Sequence, residues 1–273
     1  MDKFTTLTPI TSNTSCGYHR ITLPFGDMVD RKINKDSVLF FNRVANGAYR
    51  NRYFLDLDDY WILPKTNPHY QSWRIHNMSQ MIVNNVKGAL AVTVTNERLA
   101  SKVMQYNKNV HIVPNALPFD TGQFTKSKIG SDYVFAGGVS HTEDIKLIEH
   151  IKAKYFGGLK GSTIYPLTDY MKSYDNKLAS LVPLQSGEFN ECKSNLKILE
   201  AGAKGIGCIA SGVYPYLNDT DKDVMFYGFD KLPSAKELKQ QGIELAKHVR
   251  KYYDLKEINK KRFEILGYYI NKL

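Results

Sequence analysis

One segment, FNECKSNLKILEAGAKGIGCIAS at positions 189–211, combines charges, a hydroxyl group and a predicted helix start at spacings that could bind an anion. Lys193 and Ser194 stand where its helical periodicity begins. Lys197 and Glu200 follow at intervals of about one turn. The first backbone N–H groups of a helix lack intrahelical partners and lie at the positive end of the helix dipole. This helix start therefore predicts a phosphate site.

The charged face of this helix also fits a simpler interpretation. Lys193, Lys197, Glu200 and Lys204 would share one face. A Glu–Lys pair at i,i+4 stabilises an exposed helix by about 0.2–0.5 kcal/mol, so the same residues could form a solvated stripe that binds nothing. Gly205 predicts the end of the helix, before a short apolar strand.

A second group of chemically active side chains lies in FLDLDDYW, at positions 54–61. Asp56 and Asp58 form an Asp-x-Asp pattern on one face of a predicted strand, and Asp59 points to the other face. Clustered carboxylates can bind Mg²⁺. Because the pattern is common by chance and the segment 189–211 offers lysines instead, we expect no bound metal. We interpret Asp58 and Asp59 as groups that contact a substrate.

The histidines and the glycine-rich run add less. The seven histidines form no HExxH pattern or tight cluster, so most are predicted to be structural, with His19 and His141 as the exceptions from their context. The run GAKGIG, at 202–207, ends a predicted helix rather than opening one. It is therefore interpreted as a helix end and not as a dinucleotide-binding fingerprint.

Short apolar runs alternate with helical patterns along the chain, as is typical of parallel α/β folds. Strands are predicted at 37–44, 52–59, 89–95 and 109–116 and, after a polar linker at 117–131, at 132–138, near KYFGGL, and at 178–184, 207–211 and 224–228. Helices are predicted at 69–87, 96–106, 142–154, 167–173, 193–204, 234–252 and 255–271.

These two blocks predict an α/β fold with two Rossmann-like domains facing a cleft, and ligands beyond the carboxyl ends of the strands. Residues 1–120 would form the first domain and 121–254 the second. The C-terminal helix, within 255–273, could pack back on the first domain.

Composition limits the class of protein. The chain has 273 residues, three scattered cysteines and no run of 18 apolar residues, so we expect a cytoplasmic protein without a transmembrane segment. The net charge of +10 favours a polyanionic partner such as nucleic acid, or an anionic membrane face. A lysine-rich composition can also arise without any such partner.

The segment LVPLQSGEFNECKSNLKILEAGAKGIGCIAS, at 181–211, resembles the donor-binding segment of retaining glycosyltransferases with the GT-B fold of two Rossmann-like domains. Three further segments resemble family elements in the same order: VTVTNERLA, VHIVPNAL and YVFAGGVSHTEDIKLI, at 92–100, 110–117 and 133–148. TSCGYHRITLP, at 14–24, resembles the early N-terminal loop of the family more weakly.

The resemblance implies a nucleotide-diphosphate sugar as co-substrate, with a UDP-sugar expected, no metal, and retention at the anomeric carbon. It implies donor-binding roles for Gly17, Gly137, Gly138, His141, Lys193, Ser194, Asn195, Lys197 and Glu200. Glu200 would bind the ribose or the rest of the donor, backbone amides at the helix start the diphosphate, and the lysines would neutralise it. The catalytic candidates are Glu200, Lys197, Asp59 and His19.

This sequence departs from the family pattern at two places. The usual Glu-x7-Glu pair needs a carboxylate at position 192, where this chain has Cys192, with Glu188 and Glu191 as possible substitutes. The usual Arg/Lys pair after the glycine turn is missing, which leaves His141, Lys146 and the helix lysines. Cys192 in place of a carboxylate supports an alternative, a non-catalytic nucleic-acid-binding module on a degenerate glycosyltransferase fold.

Two acceptors fit the sequence. This compact Lys/Asn/Tyr-rich chain resembles glycosyltransferases of tailed phages, some of which modify hydroxymethylated bases in phage DNA, and the charge of +10 fits duplex DNA as acceptor. The expected acceptor-binding residues are Arg20, Arg50, Arg52 and Arg74, through contacts to the phosphate backbone. The alternative is a cell-surface glycan or lipid-linked acceptor, with the basic face on an anionic membrane.

Overall fold

The computed structural model describes residues 6–11, 14–45, 47, 50–218 and 224–273. Two five-stranded sheets, in which every strand pair is parallel, form the framework of the described residues. This arrangement confirms the predicted α/β class. Both faces of each sheet are covered by buried apolar side chains, as parallel sheets require.

The first sheet has the strand order β1-β2-β3-β4-β5. Its strands are β1 (Leu7–Pro9), β2 (Val38–Asn42), β3 (Tyr53–Leu57), β4 (Val92–Val94) and β5 (Val110–Ile112). Three helices accompany it: α1 (Tyr70–Ile75), α2 (Met78–Gly88) and α3 (Glu97–Val103). Residues 15–28 form short consecutive helical turns: Ser15–Gly17, a π-helical turn at Tyr18–Thr22, Leu23–Phe25 and Gly26–Met28.

The second sheet has the strand order β10-β9-β8-β6-β7. Its strands are β6 (Asp132–Ala136), β7 (Ala153–Phe156), β8 (Lys177–Val182), β9 (Gly207–Ala210) and β10 (Phe226–Tyr227). Its α-helices are α4 (Glu188–Glu191), α5 (Leu196–Lys204) and α6 (Ala235–Tyr252). Short 3₁₀ turns occupy Gly122–Phe124, Val139–His141, Asp144–Ile148, Leu159–Gly161 and Tyr170–Tyr174.

The last helix, α7 (Leu255–Ile270), packs on the first sheet although the second domain precedes it in the chain. Leu266 is fully buried in the same cluster as Phe25 and Phe54. Asp254 caps α7 by accepting hydrogen bonds from the first backbone N–H groups of the helix. Among the described residues, every helix is too short or too polar to cross a bilayer.

Several predicted elements differ from those observed. The helix predicted at 142–154 is replaced by 3₁₀ turns, because Asp144 accepts hydrogen bonds from the backbone of Gln185 and from His141 and is held by these tertiary contacts. The helix predicted at 69–87 is interrupted at Asn77, which has a left-handed φ of 50°. The segment at 14–24 is helical rather than a loop, and β1 was not predicted.

Candidate active site

A cleft of about 730 Å³ lies between the domains, at the carboxyl ends of both sheets. Its volume is within the range of about 300–1,000 Å³ that is usual for small-molecule sites. Most of the predicted donor and catalytic residues line it: His19, Asp59, Gly137, Gly138, His141, Lys193, Ser194, Lys197 and Glu200. Residues 181–211 and 133–148, which are distant in sequence from 14–24, therefore meet at one place.

Glu200 is buried in the wall of the cleft, because α5 is packed almost all round. Its carboxylate accepts a hydrogen bond of 2.6 Å from the Tyr174 hydroxyl. The other carboxylate oxygen lies 3.8 Å from His19 Nε2. Burial raises the pKa of Glu200 above its ordinary value. Lys204 is also buried and pairs with Asp175 at 2.7 Å, so the solvated Glu200–Lys204 stripe does not form.

Lys193 and Lys197 are half-buried cations beside the start of α5. In the described part of the chain, neither has a carboxylate within salt-bridge distance; Lys197 Nζ lies 5.8 Å from the Phe135 ring centroid and Lys193 Nζ 4.9 Å from that of Phe189. Burial lowers the pKa of Lys197, against the opposing effect of Glu200. Two lysines without an ion-pair partner among the described residues, beside a helix N-terminus, can attract an anion.

The start of α5 differs from the prediction. The sequence places the start near position 193, but residues 188–191 form the separate helix α4 and α5 begins at Leu196. Lys193 and Ser194 therefore lie in the connecting turn. Asn195 is buried at the N-cap position of α5, where its carbonyl accepts a hydrogen bond of 2.9 Å from Ile198 N, and it is absent from the cleft lining.

His141 faces the cleft from the turn after β6. Its Nδ1 is 2.8 Å from Asp144 Oδ2, and Asp144 Oδ1 accepts 2.8 Å from Gln185 N. Burial, together with Lys197 and Lys193, lowers the pKa of His141 to about 3. The ring is therefore neutral at pH 7, and its Nδ1–H donates to the ionised carboxylate.

The glycine turn lets a ligand approach the backbone. A side chain at Gly138 would meet no atom within 4 Å, so the space beside this residue is open. A Cβ at Gly137 would lie 2.7 Å from Phe135 Cζ. Gly157 also lines the cleft and has a φ of +98°, and a Cβ there would lie 2.5 Å from the Gly137 carbonyl oxygen. The prediction missed Gly157, although the pair of glycines in KYFGGL was a signal for it.

The carboxylates after β3 form the opposite wall. Arg43 Nε donates 2.9 Å to Asp58, and Arg43 Nη2 donates 2.6 Å to Asp59 and 2.9 Å to Cys16 Sγ. Although burial opposes ionisation, Arg43 holds the pKa of Asp58 well below its usual range, whereas burial raises the pKa of Asp59. Asp59 joins Asp58 on one side, contrary to the predicted alternation, because β3 ends at Leu57.

Cys16, Asp58 and Asp59 have ligand atoms within 4.8 Å of one another. The Arg43 guanidinium already supplies the cation of this group. The other carboxylate of the Asp-x-Asp pattern, Asp56, binds the guanidinium of Arg20. The two acids of the pattern are thus neutralised separately by arginines.

Arg20, predicted to contact an acceptor phosphate, is 1% exposed and paired inside the first domain. Its Nη2 and Nε donate 2.6 and 2.8 Å to the carboxylate of Asp56. Its Nη1 donates 2.9 Å to the Val113 carbonyl and 3.1 Å to Asn115 Oδ1. The bidentate pair engages the guanidinium inside the domain, so it is not exposed to an acceptor phosphate as the sequence predicted.

The other predicted acceptor arginines lie outside the cleft. Arg50 and Arg52 are exposed and precede β3, whereas the cleft begins at the carboxyl end of that strand, a distance of roughly 17 Å for five residues. Arg74 is exposed on α1 between the cleft-lining residues Trp73 and His76. Of these three arginines, only Arg74 therefore lies near the opening of the cleft.

His19 and Gly17 differ in their relation to the cleft. His19 is 3% exposed, lines the cleft, and burial lowers its pKa to about 3. Within the described residues, His19 Nδ1 is buried and has no hydrogen-bond partner. Gly17 is buried in the first helical turn, where its N–H donates 3.0 Å to Thr14 Oγ1, and it is not part of the cleft wall.

Comparisons with known proteins identify the fold. No protein-family model matches the sequence, and no curated protein matches it. Sucrose-phosphate synthase from Thermosynechococcus elongatus superposes with a TM-score of 0.63 at 11% identity, covering 86% of this chain and 74% of that one. Anabaena HepE in complex with UDP-glucose gives 0.60 at 9% identity, covering 96% and 99%. The chain has the GT-B fold.

A third solved structure, TarM, superposes with a TM-score of 0.55 at 11% identity over 85% of this chain. The chain spans 55% of the length of TarM, so this smaller GT-B chain shares only part of the larger protein. At these identities the likeness concerns the backbone arrangement.

The sequence did not predict the contacts that four cleft or domain-contact residues of this GT-B chain make. Asn115 donates 2.7 Å to Ser194 Oγ across the domains, and Asn96 donates 2.7 Å to the Lys193 carbonyl. Arg43 donates a hydrogen bond to Asp58, and the Tyr174 hydroxyl donates one to Glu200. Arg43 and Tyr174 have no local signal, whereas Asn96 and Asn115 belong to VTVTNERLA and VHIVPNAL, two of the segments that carried the family resemblance.

Proposed function

We propose that this chain is a glycosyltransferase that moves a sugar from a UDP-sugar to a hydroxyl acceptor. The observation that carries the proposal is the pair Lys193 and Lys197, cations without carboxylate partners among the described residues, beside a helix start in a cleft between two GT-B domains. Such a site binds the diphosphate and stabilises its negative charge as it leaves.

The proposed donor lies along the second domain. The diphosphate binds between the glycine turn, at Gly137 and Gly138, and the lysines beside α5, and the buried carboxylate of Glu200 accepts hydrogen bonds from donor hydroxyl groups. UDP is the proposed nucleotide because HepE, which covers almost all of this chain, is known in complex with UDP-glucose.

In the proposed reaction the anomeric C–O bond to the diphosphate breaks, the acceptor oxygen forms the new C–O bond, and the hydroxyl proton passes to the leaving diphosphate. The lysines and the helix dipole neutralise the leaving UDP, so no metal is needed for that step. Retention at the anomeric carbon is proposed from the family resemblance. NMR of the first-formed product tests it, and an inverted anomer would contradict it.

The acceptor side is the wall formed by the first domain. Its described lining cations, Arg20 and Arg43, are both paired with carboxylates, and Tyr60, Trp61 and Trp73 make it aromatic. A neutral hydroxyl-bearing group fits this wall better than a phosphate does, which favours a glycan or a lipid-linked sugar. The charge of +10 supports a hydroxymethylated base of duplex DNA, with phosphates outside the cleft.

A thermal-shift screen tests the donor. UDP-, GDP-, dTDP- and CMP-sugars are added with and without EDTA, and a donor at one hundred times its Kd should stabilise the fold by about 2.7 kcal/mol. We expect a shift with UDP-sugars that persists in EDTA. A shift that disappears with EDTA would point to a metal at Asp58 and Asp59, and no shift with any donor would favour the non-catalytic module.

A transfer assay then tests the acceptor. The protein is incubated with the stabilising donor and either hydroxymethylated duplex DNA or neutral glycans, and UDP release and product mass are measured. Transfer to DNA, lost steeply with added salt, would support the DNA acceptor. Transfer to glycans alone would support the second acceptor. Donor binding without transfer or UDP release would contradict the enzyme.

A further inference from the structure

A buried chain of hydrogen bonds connects the acceptor wall to the turn that carries Lys193. Asp56 accepts from the side chains of Asn42 at 3.0 Å and Thr93 at 2.5 Å, and it binds Arg20 through both oxygens. Arg20 donates to Asn115 Oδ1 at 3.1 Å, and Asn115 Nδ2 donates to Ser194 Oγ at 2.7 Å.

The donors and acceptors of this chain have a forced direction. An arginine can only donate hydrogen bonds and an ionised carboxylate can only accept them. Arg20 therefore fixes the oxygen of the Asn115 amide toward itself, which leaves the NH₂ group to face Ser194. Because Asn115 is 3% exposed, solvent competes little for these contacts.

The consequence falls on the Ser194 hydroxyl. A serine hydroxyl carries a single proton and can otherwise donate or accept. Here its oxygen accepts from Asn115, so its proton is left for another acceptor, and Ser194 lines the cleft beside Lys193 and Lys197. A hydroxyl held as a donor next to two lysines that form no salt bridge with the described residues is suited to bind the oxygen of an anion.

We propose that Asn115 is a positioning residue, fixed by Arg20 and Asp56, that makes the Ser194 side chain an obligate hydrogen-bond donor to the diphosphate of the donor substrate. This inference rests on the proposed function of the cleft. It assigns the direction of the Ser194 hydroxyl proton, and it changes the role of Arg20 from acceptor contact to support of the donor site.

The test compares UDP with uridine, which shares the nucleoside but lacks the diphosphate. Dissociation constants for both are measured by calorimetry on the full chain and on the variants Asn115→Ala, Ser194→Ala and the double variant. Asn115→Asp, which keeps the side-chain volume and the contact to Arg20, is a second variant should Asn115→Ala fold poorly. Asn109→Ala is the control, since Asn109 is an exposed asparagine that precedes the same strand, β5.

We expect Asn115→Ala to weaken UDP binding about tenfold and uridine binding less than about twofold, because the Ser194 hydroxyl would no longer be held toward the charged diphosphate, which uridine lacks. In a Ser194→Ala background, the Asn115 substitution should have little further effect. Asn115→Asp should weaken UDP too, since its carboxylate would accept the Ser194 proton. The control should bind both ligands like the wild type.

Two results would overturn the inference while the proposed function stands. An equal loss of UDP and uridine affinity would show a general distortion of the site, and independent losses in the double variant would show that Asn115 does not act through Ser194. If the wild-type protein binds neither UDP nor a UDP-sugar, the proposed function itself fails, and this inference with it.

Discussion

At the scale of single residues, the burial of Glu200 determines which substitution is informative. Alanine would remove the acceptor of the Tyr174 hydroxyl and leave a space in a packed wall, so a loss of binding could reflect a loss of structure. Glutamine keeps the volume and an oxygen for Tyr174 but removes the negative charge.

We predict that Glu200→Gln weakens UDP-sugar binding by about tenfold, because a hydrogen bond from a donor hydroxyl to a carboxylate is lost, while the unfolding free energy changes by less than about 1 kcal/mol. Calorimetry and urea unfolding measure the two effects. Tyr174→Phe is the matched variant, because it removes the hydrogen bond to the Glu200 carboxylate and keeps the carboxylate itself. Unchanged affinity in Glu200→Gln would remove this residue from the donor site.

Lys197 yields a second prediction, which includes a pH dependence. Lys197→Ala should lower kcat by about two orders of magnitude through weaker stabilisation of the leaving group. Because burial lowers the pKa of this lysine from 10.5, wild-type activity should fall as pH rises through that lowered value, where the ammonium loses its proton. In Lys197→Arg the fall should move to higher pH.

The measurement is a pH–rate profile with saturating donor. Lys247→Ala is the control, because Lys247 is exposed on α6 and pairs with Glu244. A wild-type rate in Lys197→Ala would contradict the role of Lys197 in stabilising the leaving group. So would a fall in activity that occurs at the same pH in Lys197→Arg as in the wild type.

The sequence predicted the residues of this site that lie close together in the chain. Lys193, Lys197 and Glu200 belong to one segment, so their proximity in sequence was enough to group them, although Lys193 lies in the turn before α5 rather than on the helix. Arg20 was misplaced because its partner Asp56 is 36 positions away. The Asn115–Ser194 bond spans 79 positions, so its prediction required the packing of both domains.

At the scale of elements, Asn96 connects α3 of the first domain to the turn of the second domain that carries Lys193. Its Oδ1 caps α3 by accepting 2.9 Å from Leu99 N. Its Nδ2 donates to the carbonyls of Lys193 at 2.7 Å and Cys192 at 3.3 Å. One side chain thus stabilises a helix start and fixes the turn that carries the first lysine.

These two roles can be separated by substitution. Asn96→Asp keeps a good cap but loses both donations, so we predict a loss of about 1–3 kcal/mol of unfolding free energy and weaker UDP binding. Asn96→Ala should lose about 1 kcal/mol more because the cap is lost too. Urea unfolding measures both, with Ser101→Ala on the exposed face of α3 as control. Equal stability of Asn96→Asp and wild type would contradict the prediction.

The prediction of strands and helices succeeded where the local sequence pattern agrees with the burial that the fold imposes. The β-rich runs became strands because both faces of each parallel sheet are buried, and Gly205 ends α5 with a φ of 70° as expected. The failure at 142–154 has a tertiary cause, since Asp144 is held by His141 and by the Gln185 backbone. Helical periodicity carries no information about such a contact.

At the scale of the whole molecule, the two domains share buried groups. Cys192 and Phe189 lie in the sequence segment of the second domain, but their side chains pack with the apolar cluster of the first domain. Tyr214 donates 2.7 Å to Glu97 across the same boundary. Burial at this junction also encloses two histidines, which makes the stability of the folded chain dependent on pH.

His19 and His141 both have pKa values of about 3 in the folded chain, against an ordinary value of 6.5, chiefly because of burial. The unfolded chain therefore binds more protons as pH falls below 6.5, so the unfolding free energy should drop by up to about 1.4 kcal/mol per pH unit for each histidine. Urea unfolding at pH 7, 6, 5 and 4 measures this slope. His19→Gln and His141→Gln should each remove one of the two contributions and flatten the curve, and an unchanged slope in both variants would show that neither histidine is the neutral buried group described above.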